Sequence, residues 1–250
     1  MNDVTLIVGG GSGIGLEVAK LALSCSENMV VIVDIHFDAE FCSLEAINAQ
    51  RLRKICVRID QDLDWASILR DIDSIRSIAF VIPPCKSRDP IINELGFTDN
   101  FCENVSSINK ALLNLISTVR LRLIEGSSLV LISSVLATRV AVSDASLDYH
   151  AAKAVLESIM RYLAVKLAPK TYVNCVAPGL IARSEESVLL VEKQTHRRVV
   201  QSVPHERPSR QIEVAKTVWA ICSGYLPYIS GQTIIMDGAS SVLEPFSITR

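Results

Sequence analysis

Tyr149 and Lys153, in the stretch YHAAK, stand four residues apart. Four residues is slightly more than one helical turn, so the two side chains share one face of a helix. Such pairs occur on many helices without chemical meaning, but a phenol beside an ammonium also has a use. The ammonium favours phenolate, lowers the pKa from its free value near ~10, and lets the phenol move a proton at neutral pH. A second cluster opens the chain. GGGSGIG, residues 9 to 15, sets Gly9, Gly13 and Gly15 in G-x3-G-x-G spacing between an apolar run and a helical pattern. Glycines there permit a tight turn and the close approach of a pyrophosphate to a helix N-terminus, whose free N–H groups and dipole favour anions. Asp34 ends VVIVD nineteen residues past Gly15. A carboxylate at the end of a second strand accepts hydrogen bonds from an adenosine ribose and repels a 2′-phosphate, which predicts NAD(H) over NADP(H).

Regular elements must hold these groups. Short β-branched runs recur at 4–8 (VTLIV), 29–33, 55–59, 78–82, 128–132, 171–176 and 232–236. Between them lie helical periodicities, such as Ile14, Val18, Leu21 and Ala22, or Leu156, Ile159, Met160 and Leu163. Apolar strands alternating with helices predict an α/β fold, a doubly wound (Rossmann) seven-stranded parallel sheet with helices on both faces. At 250 residues the chain suits one domain spanning 1–250. The polar stretch at about 183–211 reads as an excursion over the sheet edge.

Composition narrows the function classes. Hydrophobic residues make up 49% and charged ones 21%, enough for a sizeable core, and the formal charge of −2 gives no reason to expect a nucleic-acid partner. No apolar run approaches the length of a membrane span. The seven cysteines show neither CxxC nor Cys/His metal spacing, and Cys56, Cys175 and Cys222 sit inside apolar stretches as expected of buried thiols. These features predict a reduced, cytoplasmic protein without a metal site.

The ordered motifs resemble the short-chain dehydrogenase/reductase family along essentially the whole chain. VGGGSGIG (8–15) matches its nucleotide loop, ENV (103–105) its helix asparagine, ISSV (132–135) its serine strand and YHAAK its YxxxK. VNCVAPG (173–179) matches its nicotinamide loop and SGQTIIMDG (230–238) its last strand. The resemblance implies an NAD-dependent dehydrogenase/reductase acting on a secondary alcohol or ketone, with Tyr149 as general acid/base. Lys153 tunes the phenol and bonds the nicotinamide ribose, Ser134 holds the substrate oxygen, and Asn104 holds a water in a proton path to Lys153. Ser134 is preferred to Ser133 because strand alternation points neighbours to opposite faces, and because the family places its serine there. Cofactor contacts are expected from Gly9, Ser12, Gly13, Ile14, Gly15, Asp34, Tyr149, Lys153, Pro178, Gly179 and Ile181, with Asp60 at the adenine and Asp62 as its rival. The family also implies a homodimer or homotetramer through helices at about 100–123 and 148–167. Leu112, Leu115, Ile159 and Leu163 there could serve that interface or the core.

Departures from the pattern bear on function. IPPC (82–85) replaces the usual NNAG, removing two N–H groups and stiffening the turn. Arg183 stands where a threonine is expected, and Ala239 where a second glycine often follows DG. The segment over the expected pocket is basic, with Arg183, Lys193, His196, Arg197, Arg198, His205, Arg207 and Arg210, while Arg139 lies in the facing loop. Such charge is usually solvated surface. Alternatively, Arg139 or Arg183 pairs with a carboxylate or phosphate of an anionic or cyclic hydroxy substrate. A different class of reading is a cofactor-binding regulatory or scaffold protein on a degenerate form of the fold.

Overall fold

The computed structural model describes residues 3–59, 63–83, 100–141, 145–182 and 202–244. Strands β1 (Val4–Val8), β2 (Met29–Asp34), β3 (Leu52–Cys56), β4 (Ile75–Phe80), β5 (Leu123–Ile132), β6 (Thr171–Pro178) and β7 (Thr233–Met236) form one sheet. Its order is β3-β2-β1-β4-β5-β6-β7, and every pair is parallel. The chain therefore starts mid-sheet, winds outward to β3, and returns beside β1 to wind the other way. A crevice opens at such a reversal, outside the carboxyl ends of the strands.

Alternation along each strand divides the core. Leu6, Val8, Val31, Val33, Ile78, Phe80, Leu129 and Leu131 face α3 (Trp65–Ile68), α4 (Phe101–Val119) and α5 (Leu147–Lys166). Ile7, Val30, Ile32, Ala79, Val130 and Ile132 face α1 (Gly13–Cys25), α2 (Ala39–Ile47) and α6 (Gln211–Cys222). A sheet covered on both sides needs apolar residues at both phases of the alternation, which is why its strands read as continuous apolar runs.

Three strands start earlier than their apolar runs suggest, among them β5, which covers 123–132 rather than 128–132. β3 covers 52–56 rather than 55–59, and β4 covers 75–80 rather than 78–82. Pairing partners set these limits: Leu52 to Cys56 lie opposite Val30 to Asp34, and Ile75 to Phe80 lie opposite Val4 to Val8. Past the ladder Ile59 remains buried, packing as loop rather than strand. Cys56 is exposed, a correction to the buried thiol expected of it, because β3 is an edge strand whose outer face is uncovered. Cys175 and Cys222 are buried, and burial pushes the Cys222 thiol up to about 12. Leu112, Leu115 and Leu163 belong to the core with Ile159 packed against it, while Leu113, Tyr162 and Val165 are exposed apolar residues of α4 and α5.

Candidate active site

The sequence-predicted residues that the structure describes gather along the carboxyl ends of the strands and the starts of the following helices. The glycine loop links β1 to α1. Ser12 caps α1 in extended conformation without a side-chain cap bond, and the first turn carries no acidic residue. By contrast, Asp38, Asp64 and Ser146 cap α2, α3 and α5 through their side chains. The first N–H groups of α1 have no intrahelical partner and remain open to an anion. Gly15 lets this helix settle on the loop, since an added methyl would lie 2.1 Å from the Gly9 carbonyl oxygen. Gly11 is as constrained: its added methyl would lie 1.8 Å from the His36 carbonyl oxygen.

The Asp34 carboxylate bridges the end of β2 to that loop. Its Oδ2 accepts from the Gly11 N–H at 2.9 Å and its Oδ1 from the Ile35 N–H at 2.7 Å. Asp38 N–H donates to the Gly11 carbonyl at 3.1 Å, so the turn after β2 holds Gly11 from both sides. An uncapped helix start, a glycine cradle and an acceptor at the end of β2 fit a dinucleotide. Ile14, in the first turn of α1, packs against the core, and Ile181 packs against the same core while bridging to Ser209. Pro178 ends β6, and Gly179 donates its N–H to the Met236 carbonyl at 2.9 Å, tying the loop to β7.

The phenol and the ammonium sit where β5 meets α5. Ser146 accepts from the Tyr149 N–H and starts the helix, so Tyr149 lies in its first turn. The Ser134 hydroxyl lies beside the Tyr149 phenol and favours its ionised form, and Ser134 accepts from the Leu136 N–H at 3.2 Å. Lys153 is buried and donates from Nζ to the Ile132 carbonyl at 2.7 Å, with Nζ 5.9 Å from the centre of the Tyr149 ring. The lowering of the phenol is expected from Lys153 and oxidised cofactor acting together; the protein alone shifts it the other way. Burial raises Tyr149 above its usual value, and the neighbouring Ser134 hydroxyl opposes it. The ammonium is aimed at Ile132 rather than at the phenol oxygen. Burial in turn lowers Lys153 to about 8.

Asn104 joins this group through the first turn of α5. Its side-chain amide donates to Asp148 Oδ2 at 2.8 Å, and its backbone carbonyl accepts from Ser107 Oγ at 3.2 Å. Asp148, immediately before Tyr149, is buried and thus ties α4 to the first turn of α5. Sequence reasoning missed it, since an acidic residue in a first helical turn reads as ordinary dipole compensation. It also passed over Ser133, whose Oγ donates to the buried Glu157 at 2.7 Å. Alternation alone does not separate the two serines: both reach α5, because the strand ends at Ile132 and the chain turns there. The available signal was Glu157 at Lys153 plus four, which extends the Tyr149/Lys153 stripe.

Arg183, Lys193, His196, Arg197 and Arg198 lie outside the described residues, as do Asp60, Asp62, Pro84 and Cys85. Arg139 donates to the carbonyls of Ser240 and Ser241, tethering its loop to the segment after β7. Arg207 makes a paired contact with Glu213, at 2.8 and 2.6 Å, and Glu213 also accepts from the Arg210 N–H. These bonds hold Glu213 down to about 2. Leu180, Val203, His205, Arg207, Met236 and Asp237 line a cavity of about 240 Å³ beside the loop that follows β6.

Comparison with known proteins agrees with this architecture. The model of a family described as enoyl-(acyl carrier protein) reductase matches residues 9–240. "Dehydrogenase/reductase SDR family member 4" of Homo sapiens is 31% identical over 116 residues, 46% of this chain and 41% of that protein. That match therefore spans about two fifths of the human protein's length. "Carbonyl reductase family member 4" of Danio rerio is 24% identical over 246 residues, 97% of this chain and 100% of that protein. A solved short-chain type dehydrogenase/reductase from Mycobacterium ulcerans superposes with a TM-score of 0.80 at 21% identity, covering 96% of this chain and 90% of that one. The fold and the matches define a Rossmann-type α/β protein. The chain belongs to the short-chain dehydrogenase/reductase family, whose members use nicotinamide cofactors.

Proposed function

We propose that this protein is an NAD(H)-dependent oxidoreductase that interconverts a secondary alcohol and a ketone, with Tyr149 as the acid/base. The observation that carries this is the Tyr149 phenol set beside the Ser134 hydroxyl, with the buried Lys153 Nζ 5.9 Å from its ring. The α1 N-terminus with Gly9, Ser12, Gly13, Ile14 and Gly15 would hold the pyrophosphate half. Asp34 would hold the adenosine ribose, and Lys153, Pro178, Gly179 and Ile181 the nicotinamide half. The dinucleotide, when bound, supplies or accepts the hydride. Burial keeps the Tyr149 hydroxyl protonated at neutral pH, the form that gives a proton to a carbonyl oxygen as it is reduced. Ser134 holds that oxygen within reach of the phenol. In the oxidative direction the same phenol must first lose its proton, so alcohol oxidation rises with pH.

Arg183 is proposed, with the lid at about 183–211, as a contact to an anionic part of the substrate. Arg139 serves the pocket by tethering its wall. Assembly as a dimer or tetramer belongs to the same reading.

Fluorescence titration with NADH and NADPH, followed by hydride transfer to a panel of ketones and alcohols, tests the proposal. NADH is expected to bind more tightly, and Tyr149→Phe to keep that binding while turnover falls by about 10²–10⁴-fold. Tighter binding of NADPH would reject the role of Asp34. Full turnover in Tyr149→Phe would reject the role of the phenol.

A further inference from the structure

Two consecutive residues at the end of β5 are each held by one residue of α5, a third lies beside another, and the three α5 residues are spaced four apart. Lys153 donates to the Ile132 carbonyl at 2.7 Å, Glu157 accepts from Ser133 Oγ at 2.7 Å, and the Tyr149 phenol lies beside the Ser134 hydroxyl. Tyr149, Lys153 and Glu157 at i, i+4 and i+8 lie on one face of α5. Glu157 is 5% exposed, and its helical neighbours Leu156 and Met160 are buried and apolar. Burying a carboxylate among such residues is costly unless its oxygens are hydrogen-bonded. Ser133 meets that need, and in return its own direction is set twice. Its side chain is held by Glu157, and its N–H donates to the Val176 carbonyl at 2.8 Å.

We propose that Glu157 is a positioning residue of the Tyr149 site: by gripping Ser133 it fixes the direction in which the next residue, Ser134, presents its hydroxyl to Tyr149. The inference rests on the proposed acid/base role of Tyr149 for its catalytic meaning. One rigid helix then supplies the phenol and, through Glu157 and Ser133, the alignment of its partner. The ionisable groups sharing the buried layer around Glu157 are Lys153 and Arg161 of α5 and Cys175 of β6, while Tyr149 faces Lys153 and Ser134.

The test is a ¹⁹F titration of protein labelled with 3-fluorotyrosine, the Tyr149 resonance being identified by its loss in Tyr149→Phe. Glu157→Leu and Ser133→Ala remove the same hydrogen bond from opposite ends. Each is expected to move the Tyr149 midpoint upward by about one pH unit, as the Ser134 bond to the phenolate weakens. Glu157→Gln keeps an acceptor oxygen and should titrate as the unmodified protein does. NADH binding should be unchanged in all three. Ser133→Ala also serves if Glu157→Leu does not fold. A midpoint at the unmodified value in Ser133→Ala overturns the proposal, as does failure of Glu157→Gln to restore the midpoint lost in Glu157→Leu. Hydride transfer to the ketone panel is scored separately. Expected midpoints without any turnover by the unmodified protein would reject the oxidoreductase reading and leave the positioning of Tyr149 standing.

Discussion

At the scale of single residues, Lys153 carries a cost that pH can expose. Its ammonium is buried, and the desolvation that lowers it to about 8 makes the charged form unfavourable in the folded protein. Between about 8 and the ordinary value of 10.5 the unfolded chain binds more protons than the folded one. Stability must therefore rise with pH through that window, and the full penalty, about 3 kcal/mol, is present below it. Urea unfolding of the cofactor-free protein at a series of pH values should show this rise, and Lys153→Met should flatten it. Equal slopes in the two proteins would mean that burial does not lower Lys153 below its ordinary value. A buried amine kept close to neutrality is also the one that can lose or regain a proton beside Tyr149.

Elements act here through the surfaces they bring together. The turn after β2 is locked to the glycine loop by the bonds between Asp34, Asp38 and Gly11, and no space remains at Gly11 for a side chain. Gly11→Ala would push its methyl into the His36 carbonyl, a backbone atom that cannot rotate away. Either the loop or the turn must move, and both contribute to the proposed adenosine site. NADH affinity is expected to fall by about tenfold or more, roughly the loss of one charge-assisted hydrogen bond, in a fluorescence titration. Gly126→Ala, where φ of +72 strains any added methyl although no neighbour lies closer than 4.0 Å, controls for a general loss of stability away from the site. Unchanged affinity in Gly11→Ala would show that the turn is free to shift.

For the whole molecule, the packing of α4 and α5 against the sheet leaves a defined outer face. Tyr162 and Val165 on α5 and Leu113 on α4 are exposed, whereas Leu112, Leu115 and Leu163 fill the core. Assembly through these helices then has to use the exposed set. Light scattering should give a dimer or tetramer, and Tyr162→Asp with Val165→Asp should reduce the mass to that of one chain without altering far-ultraviolet circular dichroism. A monomeric unmodified protein would reject assembly and leave the fold untouched.

Patterns local in the chain are legible in the sequence by itself. Seven apolar runs alternating with helical periods specify a parallel sheet covered on both sides, because each strand must be apolar at both phases. GGGSGIG with Asp34, and YHAAK with the serines of ISSV, mark the two halves of the proposed site through their spacing together with the family they resemble. Tertiary structure decided what spacing does not carry. Strand limits follow from where the partner strand ends, so β3 stops opposite Asp34 while its apolar run continues to Ile59. The phenol shift depends on where the Lys153 ammonium is aimed, and that aim is set by the Ile132 carbonyl across the sheet edge. Asp148 and Glu157 look like ordinary helix acids in the sequence. Only packing shows them buried, each holding a residue of another segment beside Tyr149, because hydrogen bonds between distant segments leave no period along the chain.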